Sequence, residues 1–268
     1  MQKGVDTVAQ WFGADNRRQI EQAERCFAEE ILGNRYEARI YSISDNTAKG
    51  TVMLSGTDGT NVHNAYVICT GKKIGQTVTG TAVGVLVGRT DGSVSVVISC
   101  DTDDATEVMQ YQIAEAVDYW EADNSPKIYC LREKSCGAVV YTGDGADRKY
   151  LIIRMNLGHC GLPKGHIEKY ETERETAVRE VLEETGVAIT LDPVFRKSVV
   201  YSLTQRTSKE SVYFLGRFEG CDVKIQESEV SSYRLCSYEE ARRCITYEND
   251  RLILDEAEQK LSAAEKAR

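Results

Sequence analysis

Apolar residues at Ile20, Ala23, Phe27 and Ile31 recur at three- and four-residue spacing, which predicts an amphipathic helix early in the chain. Runs rich in β-branched residues follow at 36–43, 50–54, 65–69, 81–88 and 93–100 and predict strands. Met109, Ile113, Val117 and Trp120 return to the helical period. The next stretch, Glu121-Ala122-Asp123-Asn124-Ser125-Pro126, is polar and turn-prone and carries one of only three prolines, so a domain boundary is placed there.

Beyond it, Cys136-Gly137-Ala138-Val139-Val140-Tyr141 and Lys149-Tyr150-Leu151-Ile152-Ile153-Arg154 read as strands joined by a Gly/Asp turn at 143–147. After Pro193, Val199-Val200-Tyr201 and the run 211–218 predict a hairpin. Between these pairs, Thr172 with Glu175 three residues on forms a capping box, and Gly186 supplies a left-handed stop, bounding a helix near Thr185. Helix resumes around Tyr238-Glu239-Glu240-Ala241 and again over 252–261. Strands flanking a central helix, with further helix behind, predict an α/β/α sandwich over 127–268. A smaller α+β domain precedes it at 1–125, and the chain as a whole is of the α/β class.

The central helix carries the chemistry. At 100° per residue Ala177, Val178, Val181 and Leu182 share one face, which is expected to pack on the domain. Glu180, Glu183 and Glu184 fall together on the adjoining face. Glutamates on helices are ordinarily a solvated face, but three so close repel one another unless a cation sits between them. Oxygen ligands without Cys or His suit Mg²⁺ or Mn²⁺ rather than Zn²⁺. Such a metal would polarise a phosphoryl oxygen and lower the pKa of a coordinated water. The preceding segment, Gly161-Leu162-Pro163-Lys164-Gly165-His166, reads as a turn-rich loop. There the Gly165 carbonyl can approach a metal because no Cβ intervenes, and Lys164 can meet substrate phosphates as a point charge.

Composition narrows the partners. The apolar fraction of 41% and charged fraction of 28% are those of a globular protein. No apolar run nears the ~20 residues of a membrane span, so no membrane partner is expected, and the opening Met-Gln-Lys-Gly-Val-Asp has no signal-peptide core. Nine cysteines without CxxC pairs indicate reduced thiols and a cytoplasmic protein. A net charge of −9, with no basic run longer than Arg242-Arg243, argues against long nucleic acid. A small nucleotide polyphosphate remains compatible, since a metal and one or two local cations can neutralise it.

Gly165, Glu171 and Arg179-Glu180-Val181-Leu182-Glu183-Glu184-Thr185-Gly186-Val187 stand at every fixed position of a Nudix box, so the second half resembles the Nudix hydrolases. Seven specified residues, at usages of roughly 5–7% each, would coincide by chance far less than about once in a million. Within that superfamily, Cys136-Gly137-Ala138-Val139, Leu162-Pro163-Lys164-Gly165-His166-Ile167-Glu168, Ser211-Val212-Tyr213-Phe214 and Tyr233-Arg234-Leu235 are similar to the asymmetric diadenosine tetraphosphate hydrolases. This likeness covers about half the chain. It implies Mg²⁺ ligation by Glu180 and Glu184, with Glu183 as base for the attacking water and Glu229 as a further acidic residue near the metal. It also implies Lys164 and Lys209 on phosphates, and Tyr233 and Tyr213 stacked on bases. The family often has aromatics where this chain has Cys160 and Leu235, which thins the base clamp but leaves hydrolysis untouched. His166 is read as a loop-stabilising residue, and His63 and His159 as structural or merely exposed.

More weakly, Gly56-Thr57-Asp58-Gly59, Asn64-Ala65-Tyr66-Val67-Ile68 and the run 79–87 resemble family I inorganic pyrophosphatases. Those enzymes hold metals with closely spaced aspartates; here Asp58 is followed by Thr60, Asn61 and Asn64, implying a non-catalytic relative. The function expected is Mg²⁺-dependent hydrolysis of a dinucleoside tetraphosphate. ADP-ribose, a nucleoside triphosphate and the 5′ end of RNA are the alternative substrates, and a non-catalytic nucleotide or diphosphate sensor is the rival class.

Overall fold

A computed structural model of the chain describes residues 17–266 except 44–46, 57–58, 69–72, 90–91, 101–107, 122–125 and 221. It divides into two compact units: Met1–Glu133 with Ser202–Lys209, and Lys134–Tyr201 with Glu210–Arg268.

The first unit opens with α1 (Arg17–Ile31) and continues through β1 (Arg35–Ile43), β2 (Ala48–Gly56), β3 (Gly59–Ile68), β4 (Thr77–Val87), β5 (Val94–Ser99), α2 (Gln110–Glu121) and β6 (Lys127–Cys130). In β1, Ala38 and Ile40 are buried while Arg39 and Tyr41 are exposed, the alternation of a strand with one face on a core. The strands run in the order β1-β2-β3-β5-β4, and β4 pairs back to β1. This closes a five-stranded barrel of the Greek-key order found in OB-type folds, with β3 and β5 parallel. Ala23, Phe27, Ala28 and Ile31 of α1 join the core with Ile40, Val52, Val85 and Ile98. Ile113 and Val117 of α2 join Tyr66, Val83 and Val97 in a second cluster. The Trp120 side chain and Asp58 lie outside the described residues.

The expected boundary shifts here. Residues 122–125 are not described, but β6 pairs with β4 and belongs to the first unit's sheet. Its Lys127 and Tyr129 meet Glu24 of α1 at 2.8 and 2.7 Å. Four residues of partial alternation are too short a signal to assign from sequence.

The second unit contains β7 (Arg132–Thr142), whose first residues lie in the first unit, then β8 (Lys149–Met155), β9 (Cys160–Gly161), β10 (Lys164–His166) and α3 (Glu173–Thr185). It continues with β11 (Thr190–Ser202), β12 (Ser208–Arg217), β13 (Val230–Cys236), α4 (Tyr238–Cys244) and α5 (Glu248–Lys266). The sheet order is β11-β12-β7-β8-β13, with β10 on β7 and β9 on β8. Alternate residues serve opposite faces. Ala138, Val140 and Leu151 pack with Val181 of α3, whereas Val139, Tyr150 and Ile152 pack with Ala241, Ile253 and Leu254 of α4 and α5. Both faces are covered, giving the expected α/β/α sandwich.

Local chemistry sets the ends of α3. The Thr172 hydroxyl accepts from the Glu175 N–H, and the Glu175 carboxylate accepts from the Thr172 N–H at 2.8 Å. At the other end Gly186 adopts φ 68° and donates to the Leu182 carbonyl at 2.8 Å. Ala177 and Val181 are buried as expected, but Leu182 is exposed and, with Val178, lines an open groove beside Tyr170, Ile189 and Leu191. Thr172→Ala should cost about 1 kcal/mol, lowering the second unit's thermal midpoint by roughly 2–4 °C. Thr172→Ser should retain the midpoint; an unchanged midpoint in Thr172→Ala would count against the cap.

Candidate active site

The loop before α3 is stitched to both sheet and helix. β10 pairs with β7, Gly165 opposite Cys136, and the Lys164 N–H donates to Glu184 Oε2 at 2.9 Å. A Cβ at position 165 would overlap the Glu180 carboxylate, so only glycine lets that carboxylate lie against the loop backbone. Glu180, Glu184, Gly165 and the Lys164 backbone are thereby brought together.

Arg179 organises the charges. It donates to Glu171 from Nε at 2.6 Å and from Nη2 at 2.9 Å, while Nη2 also reaches the His166 carbonyl at 3.0 Å. Its Nη1 donates to Glu180 at 2.7 Å and Glu183 at 3.1 Å. The Arg179 guanidinium, with the Thr176 hydroxyl, holds the Glu171 carboxyl down at about 2. Burial works the other way on the cluster. It pushes Glu184, only 2% exposed, up to about 8, with the Glu180 charge adding to the rise, and it also raises Glu180. The Glu229 charge contributes to both shifts, so its carboxylate belongs to the same electrostatic site. Its backbone is held there by the Asn156 N–H, which donates to the Glu229 carbonyl at 2.8 Å.

Among the described residues, no three His, Cys, Asp or Glu side chains converge closely enough to hold a metal ion as they stand. In this arrangement Arg179 pairs with Glu180 and Glu183, and the Lys164 N–H with Glu184. The donor set itself is all oxygen, which fits Mg²⁺ or Mn²⁺, and Glu180, Glu184 and the Gly165 carbonyl are the groups that could hold one.

One expected substrate contact needs correction. Tyr213 is fully buried in β12, its hydroxyl donating to Asp250 Oδ1 at 2.7 Å, so its ring face is closed to a base. Burial, then the Asp250 charge, hold its phenol well above the ordinary range. Lys209, near the start of β12, has its Nζ 3.9 Å from Glu133. Tyr233 on β13 remains 39% exposed and available for stacking. The sequence reading gave no role to Arg179, although a guanidinium eight residues after Glu171 was a legible signal of a pair across the helix start.

The NUDIX domain family model matches residues 131–256. The asymmetrical bis(5′-nucleosyl)-tetraphosphatase of Rattus norvegicus is 30% identical over 139 residues, covering 47% of this chain and 93% of that protein. The chain belongs to the Nudix family. An RNA pyrophosphohydrolase of Erythrobacter litoralis is 32% identical over 114 residues, 35% of this chain and 67% of that protein. In structure, a C. elegans Ap4A hydrolase binary complex matches 49% of this chain and 98% of its own, at 23% identity and a TM-score of 0.45. The family match and the sequence relatives make the chain a Nudix hydrolase, a pyrophosphohydrolase.

Two measurements follow from this geometry. Gly165→Ala should displace the Glu180 carboxylate and weaken Mn²⁺ binding at least about tenfold with the fold retained, as read by calorimetry and circular dichroism; unaltered affinity would contradict the cradle. The raised Glu184 makes metal-free stability fall as pH rises. Its contribution is intact below the ordinary value of 4.5 and is lost as pH rises toward about 8. In EDTA, Glu184→Gln should therefore gain thermal midpoint over wild type by a few degrees more at pH 8 than at pH 5. A pH-independent difference would count against the buried carboxylate.

Proposed function

We propose that the second unit is a Mg²⁺-dependent hydrolase of bis(5′-nucleosyl) tetraphosphate, cutting diadenosine tetraphosphate into ATP and AMP. What carries the reading is the carboxylate cluster of α3 against Gly165, in a chain 30% identical over 139 residues to an asymmetrical tetraphosphatase. Glu180, Glu184 and the Gly165 carbonyl would hold Mg²⁺, or Mn²⁺ in its place. Bound there, the ion supplies Lewis acidity and offsets phosphate charge.

Glu183, at the half-exposed end of the Arg179 network, accepts the proton of the attacking water. The new P–O bond forms as the bridging P–O bond to the departing nucleotide breaks, and that oxygen keeps the electron pair. The Lys164 ammonium offsets its charge. Glu229 is a further acidic residue at the site, and Tyr233 offers a face for one base.

The 32% identity to an RNA pyrophosphohydrolase supports a second reading, the 5′ end of RNA, against which the net charge of −9 speaks. The first unit is read as a non-catalytic relative of family I inorganic pyrophosphatases, supported by Thr60, Asn61 and Asn64 where acidic residues would be needed.

A Mg²⁺ substrate panel on the full chain, with products read by mass, tests the reading. It spans diadenosine tri- and tetraphosphate, ADP-ribose, nucleoside triphosphates, 5′-triphosphorylated RNA and pyrophosphate. Diadenosine tetraphosphate should lead and yield ATP plus AMP; another substrate well ahead, or tight nucleotide binding without cleavage, would overturn it. Glu183→Gln should lower turnover at least about 100-fold with the fold intact, and near-normal turnover would remove Glu183 from its role.

A further inference from the structure

Backbone and side chains together hold β9 to the turn between α4 and α5. The Thr246 N–H donates to the Cys160 carbonyl and the Cys160 N–H to the Thr246 hydroxyl, both at 2.9 Å. Beside this pair the rings of His159 and Tyr247 lie 5.6 Å apart, centroid to centroid, with the planes at 53°. Arg251 closes the turn from α5, its Nε and Nη2 donating to the Ile245 carbonyl at 2.9 and 2.7 Å. Two segments distant in the chain therefore meet in a fixed register.

The same junction brings two thiols together. Cys160 and Cys244 are half-buried, unbridged, and packed on the core cluster that contains Val139, Tyr150 and Ile253. Their side chains lie within hydrogen-bonding reach of each other. Cys236 is close to Cys244 as well, but it is buried and its Sγ is turned to the Tyr150 carbonyl at 3.9 Å. Among the described residues no three such side chains converge to hold a metal, so the pair stands as a dithiol. Burial, then the Cys244 sulfur, raise the Cys160 thiol, while Arg154 and Arg234 work against the rise. A scarce thiolate suits Cys160 to an intramolecular step, where a sulfur already in contact offsets its low abundance.

We propose that Cys160 and Cys244 are a modification site, a reversible disulfide that locks β9 to the end of α4, whichever polyphosphate the enzyme cuts. The oxidant is a small-molecule disulfide. The Cys244 thiolate attacks one of its sulfurs, a mixed disulfide forms, and the first small thiol leaves with the electron pair of the broken S–S bond. The Cys160 thiolate, its proton given to water, then attacks Cys244 Sγ and expels the second small thiol. Two protein thiols lose two electrons in all, and the small disulfide is reduced to two thiols. The bond closes a loop that holds β10, α3 and β11 to β13, and cross-links across long loops remove the most freedom from the unfolded chain. From Cys160 the chain runs directly into the Lys164–Gly165 loop, so oxidation steadies the support of the carboxylate cluster.

The test is incubation of the full chain with oxidised glutathione, followed by alkylation of the remaining thiols, digestion without reductant and mass mapping of the linked peptides. The peptides of Cys160 and Cys244 should be joined, and dithiothreitol should part them. In parallel, the thermal midpoint of the second unit should rise by at least about 5 °C on oxidation and fall back on reduction. Cys160→Ser and Cys244→Ser should each abolish the link and the rise, whereas Cys236→Ser should keep both. Mapping of the unaltered chain stands as the test should a serine variant fail to fold. Both thiols alkylated after oxidation, a glutathione adduct that persists on Cys244, or a bond from Cys244 to Cys236 would overturn the pairing. A Cys160–Cys244 bond that leaves the midpoint unchanged would overturn the lock.

Discussion

Mutual repulsion among Glu180, Glu183, Glu184 and Glu229 is the constraint around which the second unit is built. Glu184 is buried and Glu180 half-buried, and like charges gathered there destabilise a fold unless something answers them. The Arg179 guanidinium answers two of them and spends its remaining donors on Glu171 and the His166 carbonyl, so one side chain ties helix, loop and carboxylates together. The Lys164 N–H answers a third. Even so, the buried Glu184 carboxyl holds its proton more readily than an ordinary glutamate.

Everything near the cluster keeps it from relaxing. The capping box and Gly186 pin the ends of α3, and Ala177 and Val181 anchor it to the sheet. β10 pins the loop to β7, and the Gln226 N–H donates to the Glu184 carbonyl at 3.1 Å, bringing the Glu229 segment alongside. The sheet behind is packed on both faces, so the loops are presented from a rigid platform.

Legibility from sequence followed the range of the interactions. The ends of α3 depend on residues three or four apart and were readable; so was the spacing of its glutamates. The strands β7 and β8 read as apolar runs because both faces are buried. β13 escaped notice because Ser231 through Arg234 are all exposed and give no two-residue period. Fates decided by distant partners were not legible. Tyr213 and Tyr233 look alike in sequence, yet one is sealed by Asp250, 37 residues on, and the other is open. His159 acquires Tyr247 only because β9 and the α4–α5 turn are hydrogen-bonded together. Arg179 was part of the recognised spacing, but its reach to four partners is a property of the folded loop.

The most direct measurement of the central claim is a Mn²⁺ titration of the full chain followed by electron paramagnetic resonance, with diadenosine tetraphosphate hydrolysis assayed in parallel in Mg²⁺ and in EDTA. The account requires saturable Mn²⁺ uptake that is lost in Glu180→Gln, together with hydrolysis that stops in EDTA. Hydrolysis persisting in EDTA, or Mn²⁺ uptake unchanged in Glu180→Gln, would contradict it.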